Sequence, residues 1–276
     1  MADAPASQAT VQGSLPLYKQ PEPLNVQQHK GKGLKFGDRP FEFLRDTHFV
    51  PVTVGEFASA GARFPLIFLG DNKTPVAAMG LRQGANLFVD EHGQFEAHTY
   101  MPAFIRRYPF VAATHPDAKE RFTVCVDAGS HLISDKPDEP FFTEDGQPTE
   151  FTNRAIDFVR RFESDVQTTQ AFVERLKELD LFDQQQATFQ QRDSKGEPVG
   201  EPQVVASYWS ISGEKLKALD PKVLAELRDD AALGAIYAVM LSMSQWDVLI
   251  SRAARRQQAP GAADAPMAPP PPAPEA

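Results

Sequence analysis

Between His48 and Asp127 the apolar residues fall in short runs closed by turn-forming residues: HFVPVT, PLIFLG, PVAAMGL, NLFVD, QFEAHTY and RFTVCVD. These lengths suit strands better than helices. NLFVD and QFEA read as the two arms of a hairpin, because Gly93 accepts the positive backbone angle its turn needs. Thr53 is placed to cap a short helix, VGEFASAG, that stops at Gly61 and lies between strands. After Asp145-Gly146 the period changes. Phe151, Ala155, Phe158, Phe162, Val166, Val173 and Leu176 recur at helical spacing, which predicts one long helix from about Thr149 to Leu179, with Thr149 as cap and Glu150 favourable to the helix dipole. ATFQQRD and PQVVASYW then read as a second hairpin around the polar SKGEPVGE. Ser212 caps a short helix EKLKAL, and Asp220-Pro221 opens a final helical stretch toward Arg256, broken near Asp229-Asp230 or Gly234.

The fold class that follows is α+β: a mixed, largely antiparallel sheet with a long central helix and a C-terminal helical segment. Residues 1–21 read as a disordered or extended arm, 22–257 as a single folded domain without internal repeat, and 258–276 as a disordered Pro/Ala-rich tail. Seven prolines among the last 17 residues leave that tail almost nothing to offset ordering entropy. The most apolar stretch, Ala231 to Ile250, is interrupted by Ser242, Ser244, Gln245 and Asp247, so a buried helix is expected instead of a membrane span, with partners inside the fold for its polar positions. The first residues lack a basic start followed by an apolar block, and the single Cys125 suits a reducing compartment; a cytoplasmic location is the expectation.

Lys plus Arg number 28 against 37 Asp plus Glu, a formal net charge of -9, which opposes broad adhesion to nucleic acid or anionic lipid. One cysteine makes no internal disulfide. The 20 phenylalanines need a reason: Phe151, Phe158 and Phe162 belong to the long helix, whereas Phe36, Phe41, Phe43, Phe141 and Phe142 either staple loops to the body or form an aromatic groove for a partner.

The succession VPVTVGEFASAGARFPLIF, PVAAMGLRQGANLFVDEHGQF, YMPAFIRRYPF, VCVDAGS, FFTEDGQPTEF and YWSISGEKLKALDPKVLAELRDDAALGAIYAVMLSMSQW resembles the bacterial SapC family, from about Tyr18 to Trp246. The block Tyr100 to Phe110, with its paired arginines before Tyr-Pro-Phe, is the most specific. The resemblance implies participation in surface-layer or cell-envelope processes, and it is distinct from the similarly named permease of peptide-uptake transporters. It brings no catalytic residue set, so the catalytic residues are unknown and an enzyme is the less favoured expectation.

Candidate ligand-binding residues are Arg82, Tyr100, Arg106, Arg107, Tyr108 and Asp127. Arg106 and Arg107 sit on a one-turn helix between Pro102 and Pro109, where a guanidinium fork with Tyr100 or Tyr108 suits a carboxylate or phosphate; the alternative is a structural ion pair. Arg82 lies in the flexible Gly80 to Asn86 block, which approaches an anion or simply turns the chain with a positive angle at Gly84. Gly31-Lys32-Gly33 lacks the phosphate-loop spacing. Asp127 closes a strand, where clefts often open. Cys125 needs a neighbouring base to act as nucleophile, and Ser212-Gly213-Glu214-Lys215 matches a loose acyl-enzyme string but equally a helix cap. His115-Pro116-Asp117 with His131 has a formal ligand spacing, yet no metal and no cofactor are expected. Two readings remain: a non-catalytic accessory protein acting through a protein partner, and an enzyme or receptor for an anionic small molecule or peptide. Neither nucleic acid nor a membrane span is expected, and oligomeric state is undetermined.

Overall fold

A computed structural model describes residues 17–115, 118–192 and 198–258. The expectations for the arm before residue 17, for His115-Pro116-Asp117 as a ligand group, for the turn at 193–197 and for the tail beyond 258 lie outside the described residues.

In chain order the elements are β1 (Pro21–Pro23), α1 (Val26–His29), β2 (Gly33–Leu34), β3 (Phe49–Pro51), α2 (Phe57–Gly61), β4 (Leu66–Leu69) and β5 (Thr74–Ala78). Next come α3 (Ala103–Arg106), β6 (Phe110–His115), β7 (Ala118–Asp127), β8 (Ile133–Ser134), β9 (Glu139–Pro140) and α4 (Glu150–Glu178). The chain continues with β10 (Phe182–Arg192), β11 (Pro198–Ile211), α5 (Gly213–Lys217), α6 (Pro221–Asp229), α7 (Ala232–Ser242) and α8 (Gln245–Gln258). The protein is α+β, and its antiparallel pairings are divided among three sheets.

The residues form two compact units. The first comprises residues up to Leu44 together with Val89–Phe95 and Ala103–Gln167. It holds two three-stranded sheets, in the orders β1-β7-β6 and β8-β2-β9. β2 is the middle strand of the second, and a side chain at Gly33 would run into the Glu139 carbonyl and the Pro140 Cα; the glycine is there for strand crowding. Its core gathers Leu34, Tyr108, Phe110, Val126, Leu132, Phe141 and Val159. Phe141 is fully buried against Phe110, Phe43 stacks on Tyr108 with centroids 3.9 Å apart, and Phe41 leans on Phe43 and Phe95. Rings outside regular elements thus hold loops to the core. The expected hairpin at Gly93 is reduced to a single bridge, Val89 to Phe95; Gly93 does have φ +68°. The Asp90 carboxylate accepts from the His92 and Gln94 amides, and these bonds shape the turn in place of a longer ladder.

The second unit comprises Arg45–Phe88, Glu96–Pro102 and the chain from Thr168. Its five-stranded sheet has the order β10-β11-β4-β5-β3. Thr53 and Glu56 form a reciprocal cap that opens the helical turn before α2. The helical stretch after Pro221 breaks at Asp230, where Ala231 takes φ +65°, and again between Ser242 and Gln245. Ala232–Arg256 has the length and apolar composition of a membrane-crossing helix, with 22% of its apolar window buried, and the break between α7 and α8 falls within it. The expected burial of this stretch holds for one face only. Ile236, Val239, Ser242 and Leu249 are inside, while Tyr237, Leu241 and Val248 are exposed; α8 is amphipathic, whereas α7 is apolar nearly all round and its outer face is left uncovered. Ser242 finds its partners: its hydroxyl accepts from the Leu66 amide at 2.9 Å and donates to the Val239 carbonyl at 2.6 Å.

Candidate binding cleft

In the first unit the single turn α3 begins at Ala103, directly after Pro102, and the chain passes through a cis bond between Tyr108 and Pro109 into β6. Successive residues of that segment point in different directions. Arg106 is exposed, with its guanidinium over the Phe158 ring of α4 at 5.2 Å, and Arg107 is 5% exposed. The Arg107 guanidinium lies between Phe104 and Phe162, 4.5 and 4.4 Å from their centroids, with Tyr18 at 5.7 Å, and it donates to Glu163 Oε1 at 3.2 Å. Planar, weakly hydrated guanidinium tolerates such a shell where an ammonium would not. Burial pushes the Glu163 carboxyl above its usual range, against the pull of Arg107. Burial also lifts the Tyr18 hydroxyl to about 12, with Arg107 opposing.

Tyr108 faces the other way. Its hydroxyl donates to Asp127 Oδ2 at 3.1 Å, and burial, with Asp127 adding, holds its ionisation well above the usual phenol range. Asp127 has no exposure at all; it also accepts from the amides of Lys19, Gln20 and Gly129 at 3.1, 2.7 and 3.2 Å. A carboxylate so fully bonded anchors the entering chain to the end of β7 and does not face a ligand.

Arg106, Arg107 and Tyr108 line one open cleft of about 260 Å³. Leu34, Phe36, Phe110 and, from α4, Phe151, Arg154, Ala155 and Phe158 complete its lining. The structure therefore brings three of the six candidate residues together. Asp127 lies behind Tyr108, outside the lining. Arg82 and Tyr100 belong to the second unit. Arg82 is exposed there, on a loop whose Gly84 has φ +78°, and Tyr100 donates to Glu56 Oε1 at 2.8 Å within the cap that opens at Thr53. Arg154 and the cleft-facing role of Phe151 and Phe158 were not apparent beforehand. The signal is present in the spacing: positions 151, 154, 155 and 158 share one helical face, but a phenylalanine there reads first as core.

The remaining candidates resolve locally. Cys125 is buried in β7, and burial, reinforced by Glu22, raises its thiol to about 11. Ser212 accepts from the Lys215 amide as the cap of α5, while Lys215 Nζ meets Asp183 at 3.0 Å, Asp180 at 3.3 Å and the Phe182 carbonyl at 2.8 Å. His131 Nε2 lies 3.1 Å from the Arg39 carbonyl. Among the described residues no three His, Cys, Asp or Glu side chains gather as a metal-binding group.

These features define an α+β protein with an aromatic cleft rimmed by arginines. The chain belongs to the SapC family, whose model matches residues 24–249. No curated protein and no solved structure matches it.

Proposed function

We propose that this chain is a non-catalytic accessory protein that recognises a protein partner through the cleft of its first unit, in surface-layer or cell-envelope processes as the family resemblance implies. One observation carries the reading. The ionisable groups lining the cleft are Arg106, Arg107, Arg154 and Tyr108. The lining offers no carboxylate, imidazole, thiol or amine, and burial holds the Tyr108 hydroxyl in its protonated, neutral form, so the side chains that most often serve as general acid or base are not among it. The lining is suited to holding an anion next to apolar groups. The similarly named transporter permease, a bundle of spanning helices, has no counterpart in this combination of small antiparallel sheets and one long α4.

The test pairs two assays on the full chain. Crosslinking in cells is expected to recover a partner whose yield falls with Arg106→Glu, while purified protein leaves panels of carboxylates and phosphate esters unchanged by NMR. Turnover of any of these that disappears with Arg106→Ala overturns the reading in favour of an enzyme. The exposed Arg106 and Arg154 at one cleft favour, as the second reading, a receptor for a small anion; saturable binding of a free carboxylate or phosphate at micromolar concentration decides for it.

A further inference from the structure

We infer that the cleft takes a peptide segment of the partner in which a bulky apolar side chain adjoins an aspartate or glutamate; this rests on the binding reading above and names what is bound. Three observations converge. First, the charge is local and of one sign: in a chain of net charge -9, this lining contains guanidinium groups and no carboxylate. Two of them already have carboxylate neighbours, Glu163 on Arg107 and Glu150 on Arg154, and neither acid lines the cleft. The Arg154 pair is exposed on both sides and is readily exchanged for a better-placed anion.

Second, the Arg107 guanidinium is enclosed by Phe104, Phe162 and Tyr18 and paired with Glu163, none of which lines the cleft, so the cations an incoming carboxylate meets there are the exposed Arg106 and Arg154. A carboxylate suits guanidinium groups in such a setting through charge-assisted hydrogen bonds. Third, the apolar side of the cleft is unfinished. Phe36 is 56% exposed, beside the partly covered Phe151 and Phe158. The volume of about 260 Å³ falls below the usual range of ~300–1,000 Å³ for small-ligand pockets, and the cleft is open. A site of that size accommodates one or two side chains of a longer partner better than it encloses a whole metabolite. Charge asks for an acid, the rings ask for an apolar neighbour, and the opening lets a chain pass.

Fluorescence anisotropy with the full chain tests this, using three labelled, amidated octapeptides: one with glutamate next to phenylalanine, one with lysine replacing that glutamate, and one with serine replacing that phenylalanine. The first is expected to bind about tenfold or more tighter than either control, and to weaken as salt rises. Arg154→Glu and Phe36→Ser, both at exposed positions, are each expected to weaken it about tenfold while leaving the circular dichroism spectrum and Tm unchanged. Equal affinity for all three peptides, or no binding, overturns the inference, as does displacement of the first peptide by equimolar benzoate or inorganic phosphate. Failure here leaves the accessory-protein reading standing if Arg106→Glu still abolishes the crosslinked partner; turnover of a substrate defeats that reading separately.

Discussion

Glu163 meets Arg107 at 3.2 Å, and the guanidinium it neutralises is enclosed by Phe104, Phe162 and Tyr18. The acid is 24% exposed at its side chain and the base 4%, so the pair has a wet end and a dry end. Replacing Glu163 with Gln leaves a buried cation without counter-charge. We expect a loss of about 1–3 kcal/mol in urea unfolding, below the ~3–5 kcal/mol of fully buried pairs because water reaches the acid. No loss would show that the rings alone support Arg107.

The same carboxyl sets a pH signature. Its folded pKa lies above the ordinary 4.5, so the folded state holds the proton longer than the unfolded chain does. The stabilisation linked to this proton is complete below about pH 4.5 and is lost as pH rises through the folded value. Plotted against pH, the stability of wild type minus that of Glu163→Gln should therefore fall from pH 4.5 upward; a rising difference would mean that Arg107 outweighs burial.

Asp127 gathers three backbone amides and the Tyr108 hydroxyl. Asp127→Ala strands all four donors and is expected to cost about 3–5 kcal/mol, with faster tryptic cleavage after Lys19 as the chain leaves β7. Tyr108→Phe removes one donor from an otherwise bonded carboxylate and should cost about 1 kcal/mol. Equal losses for the two variants would contradict the anchoring role given to the backbone amides.

Cys125, with its thiol raised to about 11, carries thiolate on only about one molecule in 10,000 at pH 7. Ellman's reagent should leave the native protein unmodified over hours and react at once in 6 M guanidinium. Rapid modification of the folded chain would restore the cysteine as a candidate nucleophile.

Ser212→Ala should cost about 1 kcal/mol, the typical loss of a helix cap. It should leave partner binding intact, since the residue lies outside the cleft lining. Loss of any activity without loss of Tm would revive the acyl-enzyme string. Lys215, held charged by Asp183 and Asp180, argues against that outcome.

Helices were legible wherever a cap and a period agreed. Thr149 with its run of phenylalanines, Ser212, and Asp220-Pro221 each mark starts that the structure places within a residue. The two-residue strands β2, β8 and β9 were not, because pairing so short carries no alternation and depends on what lies alongside. β6 was missed for a related reason: FVAATH follows Tyr108-Pro109 without a turn-bounded start, and only its register with β7 reveals it. The cleft was half legible. Adjacent Arg106 and Arg107 drew notice by charge and Phe36 as one of the rings that could staple a loop or line a groove, whereas Arg154 became relevant only through long-range proximity.

The α+β class, the long helix, the family membership and the arginine-tyrosine segment were determined by the order of residues alone, since capping, period and block order are local properties of the chain. Which guanidinium is buried against Glu163, which aspartate is used up by backbone amides and which phenylalanine stays uncovered were decided only by tertiary structure. Burial and hydrogen-bond partners arise between residues distant in sequence, 56 positions apart for Arg107 and Glu163 and 108 for Lys19 and Asp127, and no local pattern encodes such distances.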